Sequence, residues 1–220
     1  MLGVDEDKFA CAVETAESGT ATFMLYTEEP PDAVDPDREI LRAAAASGDA
    51  VQFRLIGRDY WYFGLVVEVS DEWALINKVD RNAVAFDGYA AVPFDRSIDA
   101  EAIDDAATIF TRALRLRGEE PRNPHVPLDG HRALLTELGK RYPLVSLTDQ
   151  RNPGHVYIGR IAAIEDDRVT LEGVDTAGEW TGEHQHSYKD VEMISFGSAY
   201  EAALASVSEA PEPGEGDEGA

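Results

Sequence analysis

The chain has 220 residues and carries 43 acidic against 19 basic side chains, which gives a net charge of −24 at neutral pH. Its 44% of apolar residues is enough to build a hydrophobic core, which excludes a wholly disordered chain. No apolar run reaches the roughly 18 residues that a membrane-spanning helix needs, and no secretory signal pattern is visible, so the sequence predicts a cytoplasmic protein without membrane contact.

Residues 1–36 are predicted to form a helix-strand extension. Apolar residues recur at helical spacing from Phe9, Gly19 ends the helix, and residues 20–27 alternate as a strand does. Cys11 is the only cysteine, so it can form no disulfide within the chain, which fits a reducing compartment.

Residues 37–118 are predicted to form a first module with a following helix. A short helix begins at Asp37 and stops at Gly48. The segment 98–117 predicts the best helix of the chain, because acids fill its first turns and arginines its last. The strand-like runs between these helices are 51–55, 60–69, 73–79, and a hairpin of 82–88 with 89–94.

A linker is predicted at 119–128, because three prolines fall between residues 121 and 127. The second module, 129–207, repeats the plan of a short helix, several strands and a terminal helix. Residues 208–220 are rich in acids, glycine and proline, and this composition predicts a disordered acidic tail.

An internal repeat emerges when Gly64 is set against Gly159. The two copies then align without a gap as far as Asp80 and Asp175, and most apolar positions coincide. A glycine within a long strand often marks a sharp bend, so two glycines at one register indicate the same bend used twice. The alternative is that any two antiparallel meanders of this length align equally well.

A short helix followed by about five bent strands resembles the Sm-like or SH3-like small barrel, over residues 37–98 and 129–196. Val156–Ile164 is similar to the bent strand of the first Sm motif. The asparagine of the Sm RNA loop is missing, and Ser195-Phe-Gly197 stands in place of the Arg-Gly pair of the second motif, so the resemblance does not imply uridine binding. The second copy also resembles short uncharacterised prokaryotic proteins.

The expected fold is therefore α+β and mainly β. It would contain two small five-stranded Sm-like or SH3-like barrels in tandem, each preceded by a short helix, with a connecting helix near 98–117.

The sharpest local pattern joins two arginines to a run of aromatic residues. Aromatics beside arginines on a barrel surface can stack unpaired bases, and the same residue types make protein-interface hot spots. The alternative is that one strand face packs inside while the tyrosines cover a rim. The candidate binding residues are Arg54, Arg58, Tyr60, Trp61 and Tyr62.

His184 and His186 would point to the same side of a strand and are weak candidates for metal binding. No further ligand is identifiable, so solvated strand-face histidines are the alternative. The acidic pairs at 104–105 and 166–167 suit a helix start and a turn. The sequence predicts no catalytic constellation, no cofactor and no enzyme.

The acidic composition resembles that of proteins from extreme halophiles and favours an archaeal source, because molar salt shortens the Debye length to about 3 Å and makes self-repulsion tolerable. In a halophile, a negative net charge does not exclude nucleic-acid binding, because nearly every protein there is acidic. The predicted function is a non-enzymatic binding or scaffold protein that contacts a protein partner or itself. The alternative is an RNA- or single-stranded nucleic-acid-binding protein, and an undetected hydrolase or metalloenzyme ranks last.

Overall fold

The computed structural model describes residues 35–94, 98–103 and 108–209. Residues 1–34 of the predicted extension, with Cys11, lie outside the described part, as do the acidic pair at 104–105 and the predicted tail from residue 210 onward. No helix of the described part is long and apolar enough to cross a membrane.

The described residues form four α-helices, one 3₁₀ turn (Tyr188–Asp190) and ten strands. The helices are α1 (Pro36–Ser47), α2 (Ile109–Leu116), α3 (His131–Arg141) and α4 (Ala199–Ser208). The strands of the first half are β1 (Ala50–Leu55), β2 (Tyr62–Val69), β3 (Trp73–Asp80), β4 (Ala85–Pro93) and β5 (Ile98–Ile103). Those of the second half are β6 (Val145–Asp149), β7 (Val156–Ile164), β8 (Arg168–Val174), β9 (Trp180–Ser187) and β10 (Val191–Phe196).

Helix α1 shows how local sequence sets these boundaries. The Asp35 side chain accepts a hydrogen bond from the Asp37 backbone N–H, and Pro36 occupies the first helical turn, where a missing N–H is harmless. Gly48 ends the helix with a φ of 76°, a left-handed conformation that side chains disfavour. The predicted short helix is therefore present and stops at Gly48, but it begins at Pro36 and is capped by Asp35 rather than starting at Asp37.

All ten strands belong to one antiparallel sheet with the order β5-β1-β2-β3-β4-β10-β6-β7-β8-β9. The α+β, mainly β class is confirmed. Two separate five-stranded barrels are not confirmed, because β4 of the first half pairs with β10 of the second and the sheet does not close. Backbone groups at the edge of each half thereby find partners in the other half.

The two halves nevertheless share one internal plan. The first half has the order β5-β1-β2-β3-β4, and replacing each strand by its counterpart gives the order of the second half, β10-β6-β7-β8-β9. The pairing of β2 with β3 shifts register between Val66 and Glu68, and that of β7 with β8 shifts between Ile161 and Ala163. The second shift lies 95 residues after the first, so the same irregularity of strand pairing recurs in each half.

Gly64 and Gly159 occupy equivalent places in these ladders. A Cβ atom on Gly64 would lie 2.5 Å from the backbone oxygen of Asn77, and one on Gly159 would lie 2.3 Å from that of Glu172. Both glycines are therefore required because the neighbouring strand comes too close for any side chain. Gly64 and Gly159 thus hold equivalent register positions, opposite Lys78 and Gly173 respectively.

The helix predicted over 98–117 is wrong in its first part. Residues 98–103 form β5, which pairs with β1 from Ile98 opposite Leu55 to Ile103 opposite Ala50. Apolar and acidic residues alternate here with period two, which suits a strand beside the open edge of β1. Helix α2 begins only after Thr108, whose side chain accepts from the Thr111 backbone N–H.

The predicted hairpin at 82–94 is also wrong, because Ala85–Pro93 is one continuous strand, β4. Gly88 lies within it at a φ of 69°, without turning the chain back. The predicted hairpin would have given two strands where the structure has one. The first half still has five strands, because residues 98–103 form β5.

One hydrophobic cluster contains buried residues of both halves. Trp73 and Leu75 of β3 belong to it, and the Trp73 ring meets His131 of α3 edge-on at 4.7 Å. Val126 and Leu128 of the predicted linker are also buried in this cluster. A second cluster lies under α1. The shared cluster, in contrast, also contains these buried residues of the second half: Leu134, Leu135, Leu138, Val145, Leu147, Ile194 and Phe196.

Candidate functional site

The arginine-aromatic patch, defined as Arg54, Arg58, Tyr60, Trp61 and Tyr62, spans the end of β1, the β1–β2 loop and the start of β2. The five residues lie in one region of the structure. Their side chains, however, are largely engaged with other parts of the chain.

Arg54 has partners on two sides. Its guanidinium forms an ion pair with Asp99 of β5 at 2.6 Å, and it also lies over the Trp61 ring at 4.7 Å from the centroid. The Arg54 side chain is 36% exposed. Cation–π stacking and the carboxylate together fix the guanidinium against the sheet, which leaves it little freedom to meet a ligand.

Arg58 connects the two halves of the sheet. Its Nη2 atom lies 2.5 Å from Oε2 of Glu192 in β10, and both side chains are only 14% exposed. A charge-assisted hydrogen bond in such a sheltered place is stronger than an exposed one. Arg58 therefore acts as a joint between the first and the second half.

Two tyrosines of the patch differ in exposure. Tyr62 stacks on Phe53 with centroids 5.1 Å apart, and burial, followed by the nearby Tyr60, raises the pKa of its hydroxyl. Tyr60 meets Tyr62 edge-on at 4.8 Å but is itself 66% exposed. Tyr60 is therefore the residue of the patch that remains most open to an external partner.

The two candidate metal-binding histidines do not converge on one point. His186 is buried and its Nδ1 lies 2.9 Å from Oδ2 of Asp149, whereas His184 lies 3.3 Å from the Thr181 hydroxyl. The ring of Tyr157 contacts both imidazoles. Within the described ranges, no group of three or more His, Cys, Asp or Glu side chains is arranged to hold a metal ion.

A buried polar cluster around Asp149, at the end of β6, was missed by sequence reasoning. Asp149 accepts hydrogen bonds from the Arg151 guanidinium at 2.6 Å and from the Arg151 backbone N–H at 2.8 Å. Burial alone would raise the pKa of Asp149, but the hydrogen bonds from Arg151 and His186 outweigh it and lower that pKa to about 2. The only local signal was the spacing of an acid and an arginine around a turn.

His186 completes this cluster as a neutral side chain. Burial lowers the pKa of its imidazole, although the hydrogen bond to Asp149 opposes the effect. Nδ1–H therefore donates to the carboxylate, while Nε2 is buried without a hydrogen-bond partner in the described part of the chain. This arrangement holds the β6–β7 loop against β9 and corrects the expectation of solvated strand-face histidines, at least for His186.

The two ends of the sheet are a further feature that the sequence did not reveal. Among the described residues, β5 is bonded only to β1, and β9 only to β8. Glu101 and Ala102 of β5 are exposed, as are Thr181, Glu183 and Gln185 of β9. An edge strand offers free backbone N–H and C=O groups that another strand can pair with.

Comparison with known proteins adds no relative. The chain matches no protein-family model, no curated protein sequence and no solved structure.

Proposed function

We propose that this chain is a non-enzymatic binding protein built from two tandem copies of a small-barrel module, and that it binds a protein partner by strand addition at its sheet edges. The observation that carries the proposal is the position of β5 and β9 at the two ends of the ten-stranded sheet. Strand addition is a common mode of protein recognition, in which backbone hydrogen bonds supply affinity and alternate side chains supply specificity.

The tandem arrangement is supported by the repeated strand order and by the register shifts that lie 95 residues apart. The binding mode is supported by the chain itself, because β4 and β10 already join the two copies by edge-to-edge pairing. Three residue pairs form that joint: Tyr89 with Phe196, Ala90 with Ser195, and Ala91 with Ile194. Because the edge of β4 accepts β10, the equivalent free edge at β9 has the geometry to accept a strand as well.

A second candidate function is binding of RNA or single-stranded nucleic acid at the arginine-aromatic patch. Its specific support is Tyr60, whose ring is exposed and available to stack a base. Against it stand the carboxylates of Asp99 and Glu192, which already neutralise Arg54 and Arg58 and would repel phosphates. Strand addition is therefore the better supported function.

Proline substitution in β9 tests strand addition. Neighbouring residues of an edge strand direct their N–H groups alternately toward and away from the adjacent strand. One of the two variants Glu183→Pro and His184→Pro therefore removes an N–H group from the free edge and keeps the pairing with β8. Thermal unfolding followed by circular dichroism identifies it, because it is the variant that keeps native stability. The other variant reports the cost of breaking the β8–β9 ladder.

The edge-blocked variant and the wild type are then used as baits in an extract of the source cell. We expect a protein captured by the wild type, and shown by titration calorimetry to bind directly, to lose at least tenfold in affinity for the variant. Equal binding of that partner to both would refute strand addition at β9.

The nucleic-acid alternative has its own experiment. Binding of a fluorescent single-stranded RNA is measured at low and high salt for the wild type, for Tyr60→Ala, and for the double variant Arg54→Ala/Arg58→Ala. A loss of binding in Tyr60→Ala would support this alternative. Absent binding by the wild type, or equal binding by all three proteins, would eliminate it.

A further inference from the structure

The outward face of helix α2 carries an apolar stripe, defined as Ile109 and Leu116. Leu116 is 86% exposed and Ile109 is 72% exposed, the two highest values among the large hydrophobic residues of the described chain. The two residues are seven positions apart, which is almost two full helical turns, so their side chains point in directions only about 20° apart. Single exposed apolar residues are common, but two in line on one short helix mark an interaction surface.

The opposite face of α2 holds the helix against the sheet. Thr111 and Leu114 are buried, and the Phe110 ring lies against Phe63 of β2 with centroids 5.3 Å apart. The side chain of Thr108 caps the first turn of the helix. Because its inner face is anchored in this way, α2 presents the stripe to solvent at a fixed place on the molecule.

Arginines line the stripe on both sides. At 100° per residue, Arg112 and Arg115 lie to one side of the stripe and Arg117 lies to the other. Arg81 of the β3–β4 turn adds a positive charge on the side of Arg117, because its guanidinium lies 5.8 Å from the centroid of the Phe110 ring. An apolar seam flanked by charge on both sides is the pattern that a helix uses to bind another helix.

Two of these arginines keep their full charge. Within the described ranges, Arg112 and Arg81 form no ion pair, whereas Arg117 is paired with Glu119 at 2.7 Å. Arginines without an acidic partner are unexpected in a chain that has 43 acidic and 19 basic residues. A partner that brings acids to both sides of the stripe would therefore form ion pairs that the chain itself does not supply.

Helix α4 is the counterpart of α2 in the second half. Both helices begin after an N-cap residue with a hydroxyl group, and both bury a leucine six positions further on, at Leu114 and Leu204. Helix α4 also exposes an apolar pair seven residues apart, Tyr200 and Val207. Its sequence, however, contains no lysine or arginine. The flanking arginines therefore distinguish α2, and Val207 is a matched control position for Leu116.

We propose that the apolar stripe of α2 is the docking site of an acidic amphipathic helix from a partner protein. Ile109 and Leu116 are one heptad apart, so apolar residues of the partner helix would pack beside them along a common seam, as in a coiled coil. Glutamates on either side of the partner's seam would meet Arg112 and Arg81. This surface consists of helix side chains, so it is a binding site additional to the strand edges.

The combination of apolar and basic residues selects this kind of partner. A nucleic acid would neutralise the arginines but leave Ile109 and Leu116 in water. An anionic membrane is an extended surface that the net charge of −24 would repel, whereas a single helix meets mainly the arginines beside it. A helix with an apolar seam and flanking acids satisfies both features of the site.

Fluorescence anisotropy with a labelled synthetic helix tests the proposal. The probe is a peptide of three heptads with leucine at positions a and d and glutamate at e and g, where the glutamates keep it from pairing with itself. The buffer contains about 1 M KCl, because a Debye length of about 3 Å suppresses the long-range repulsion between the two acidic molecules. A peptide of the same composition in scrambled order, which has no apolar seam, is the control.

Four full-length proteins are compared: the wild type, Leu116→Ser, Arg112→Glu and the matched control Val207→Ser. All three replaced side chains are exposed, so circular dichroism should show the native fold in each variant. We expect saturable binding of the probe to the wild type and to Val207→Ser. Binding to Leu116→Ser and to Arg112→Glu should be at least tenfold weaker, and the scrambled peptide should not bind.

A fluorescent dye shows where the probe lies on the protein. In a Cys11→Ser background, Leu116→Cys supplies a single cysteine for a polarity-sensitive dye, and Val207→Cys supplies the control position. The docked helix should bury the dye at position 116, so its emission should shift to shorter wavelength. The dye at position 207 should show no shift.

Three results would overturn the proposal: no saturable binding of the probe to the wild type, equal binding of the probe and the scrambled peptide, or equal binding to the wild type and Leu116→Ser. Binding of single-stranded RNA or anionic lipid vesicles that is lost in Arg112→Glu, without binding of the probe, would also overturn it. The edge-blocked β9 variant should bind the probe as the wild type does. Docking on α2 and strand addition can therefore fail independently of each other.

Discussion

Replacing Gly159 with alanine should destabilise the protein because the neighbouring strand leaves no room for a methyl group. The new Cβ would lie 2.3 Å from the backbone oxygen of Glu172 and 2.9 Å from its carbonyl carbon. Carbon and oxygen atoms in the closest sheet contacts stay about 3.3 Å apart, so β7 and β8 would have to separate by about 1 Å. Overpacking of this kind costs about 1–3 kcal/mol, and each weakened ladder bond adds about 0.5–1.5 kcal/mol.

We therefore expect the free energy of unfolding to fall by about 3 kcal/mol in Gly159→Ala. Urea denaturation at constant salt, followed by far-UV circular dichroism, measures this change. Gly64→Ala should behave in the same way, because its Cβ would lie 2.5 Å from the backbone oxygen of Asn77. Comparable losses at the two glycines would show that they serve one structural purpose.

Gly139→Ala is the matched control. Gly139 lies in helix α3, and its new Cβ would lie 3.6 Å from Ile161, an ordinary contact distance. Alanine favours the helix by about 0.5–1 kcal/mol, so this variant should be as stable as the wild type or more so. A Gly159→Ala protein within about 0.5 kcal/mol of the wild type would refute the steric argument.

Three further changes test other contacts. Ser198→Ala removes the side-chain cap of α4 and should cost about 1 kcal/mol in thermal or urea unfolding, and an unchanged stability would contradict the cap's role. Arg58→Ala leaves the sheltered carboxylate of Glu192 without its partner and should cost about 1–3 kcal/mol, whereas the double variant with Glu192→Gln should recover part of the loss. Because the pKa of His186 is lowered in the folded protein, its contribution to stability is complete above pH about 6.5 and declines as the pH falls toward the folded-state pKa. The contribution of Asp149 to stability declines in the same way from pH 3.8 toward about 2. Asp149 contributes about 2 kcal/mol to the free energy of unfolding at neutral pH. Urea unfolding at a series of pH values should therefore show two losses of stability, and Asp149→Asn should lack the one at the lower pH. A stability that does not change with pH would exclude this linkage.

Local patterns predicted the parts of the fold that depend on neighbouring residues. Helix α1 was predicted from Asp37 at its start and Gly48 as its stop, and the repeat was predicted because Gly64 and Gly159 interrupt strands at one register. Residues 98–103 were misread because acids ahead of an apolar stripe also suit a helix start. The edge of β1, which makes them a strand, lies about 50 residues away in sequence and leaves no local mark.

The candidate sites show the same limit. The sequence grouped the arginines and aromatics of the patch but could not show that Arg58 is held by Glu192, 134 residues further along the chain. It paired His184 with His186 as possible ligands, whereas the partner that decides the state of His186 is Asp149, on another strand. Burial and long-range partners, rather than residue type, separate a free surface from an internal joint.

The hydrophobic cluster shared by the two halves has a consequence for how the protein gains and loses its structure. Trp73 and Leu75 of the first half and Leu134 and Phe196 of the second lie in one buried group. Opening either half alone would expose the apolar face of the other to water, which strongly disfavours any half-unfolded state. The repeat in sequence therefore coexists with a single cooperative unit, in which neither copy is an independent folding domain.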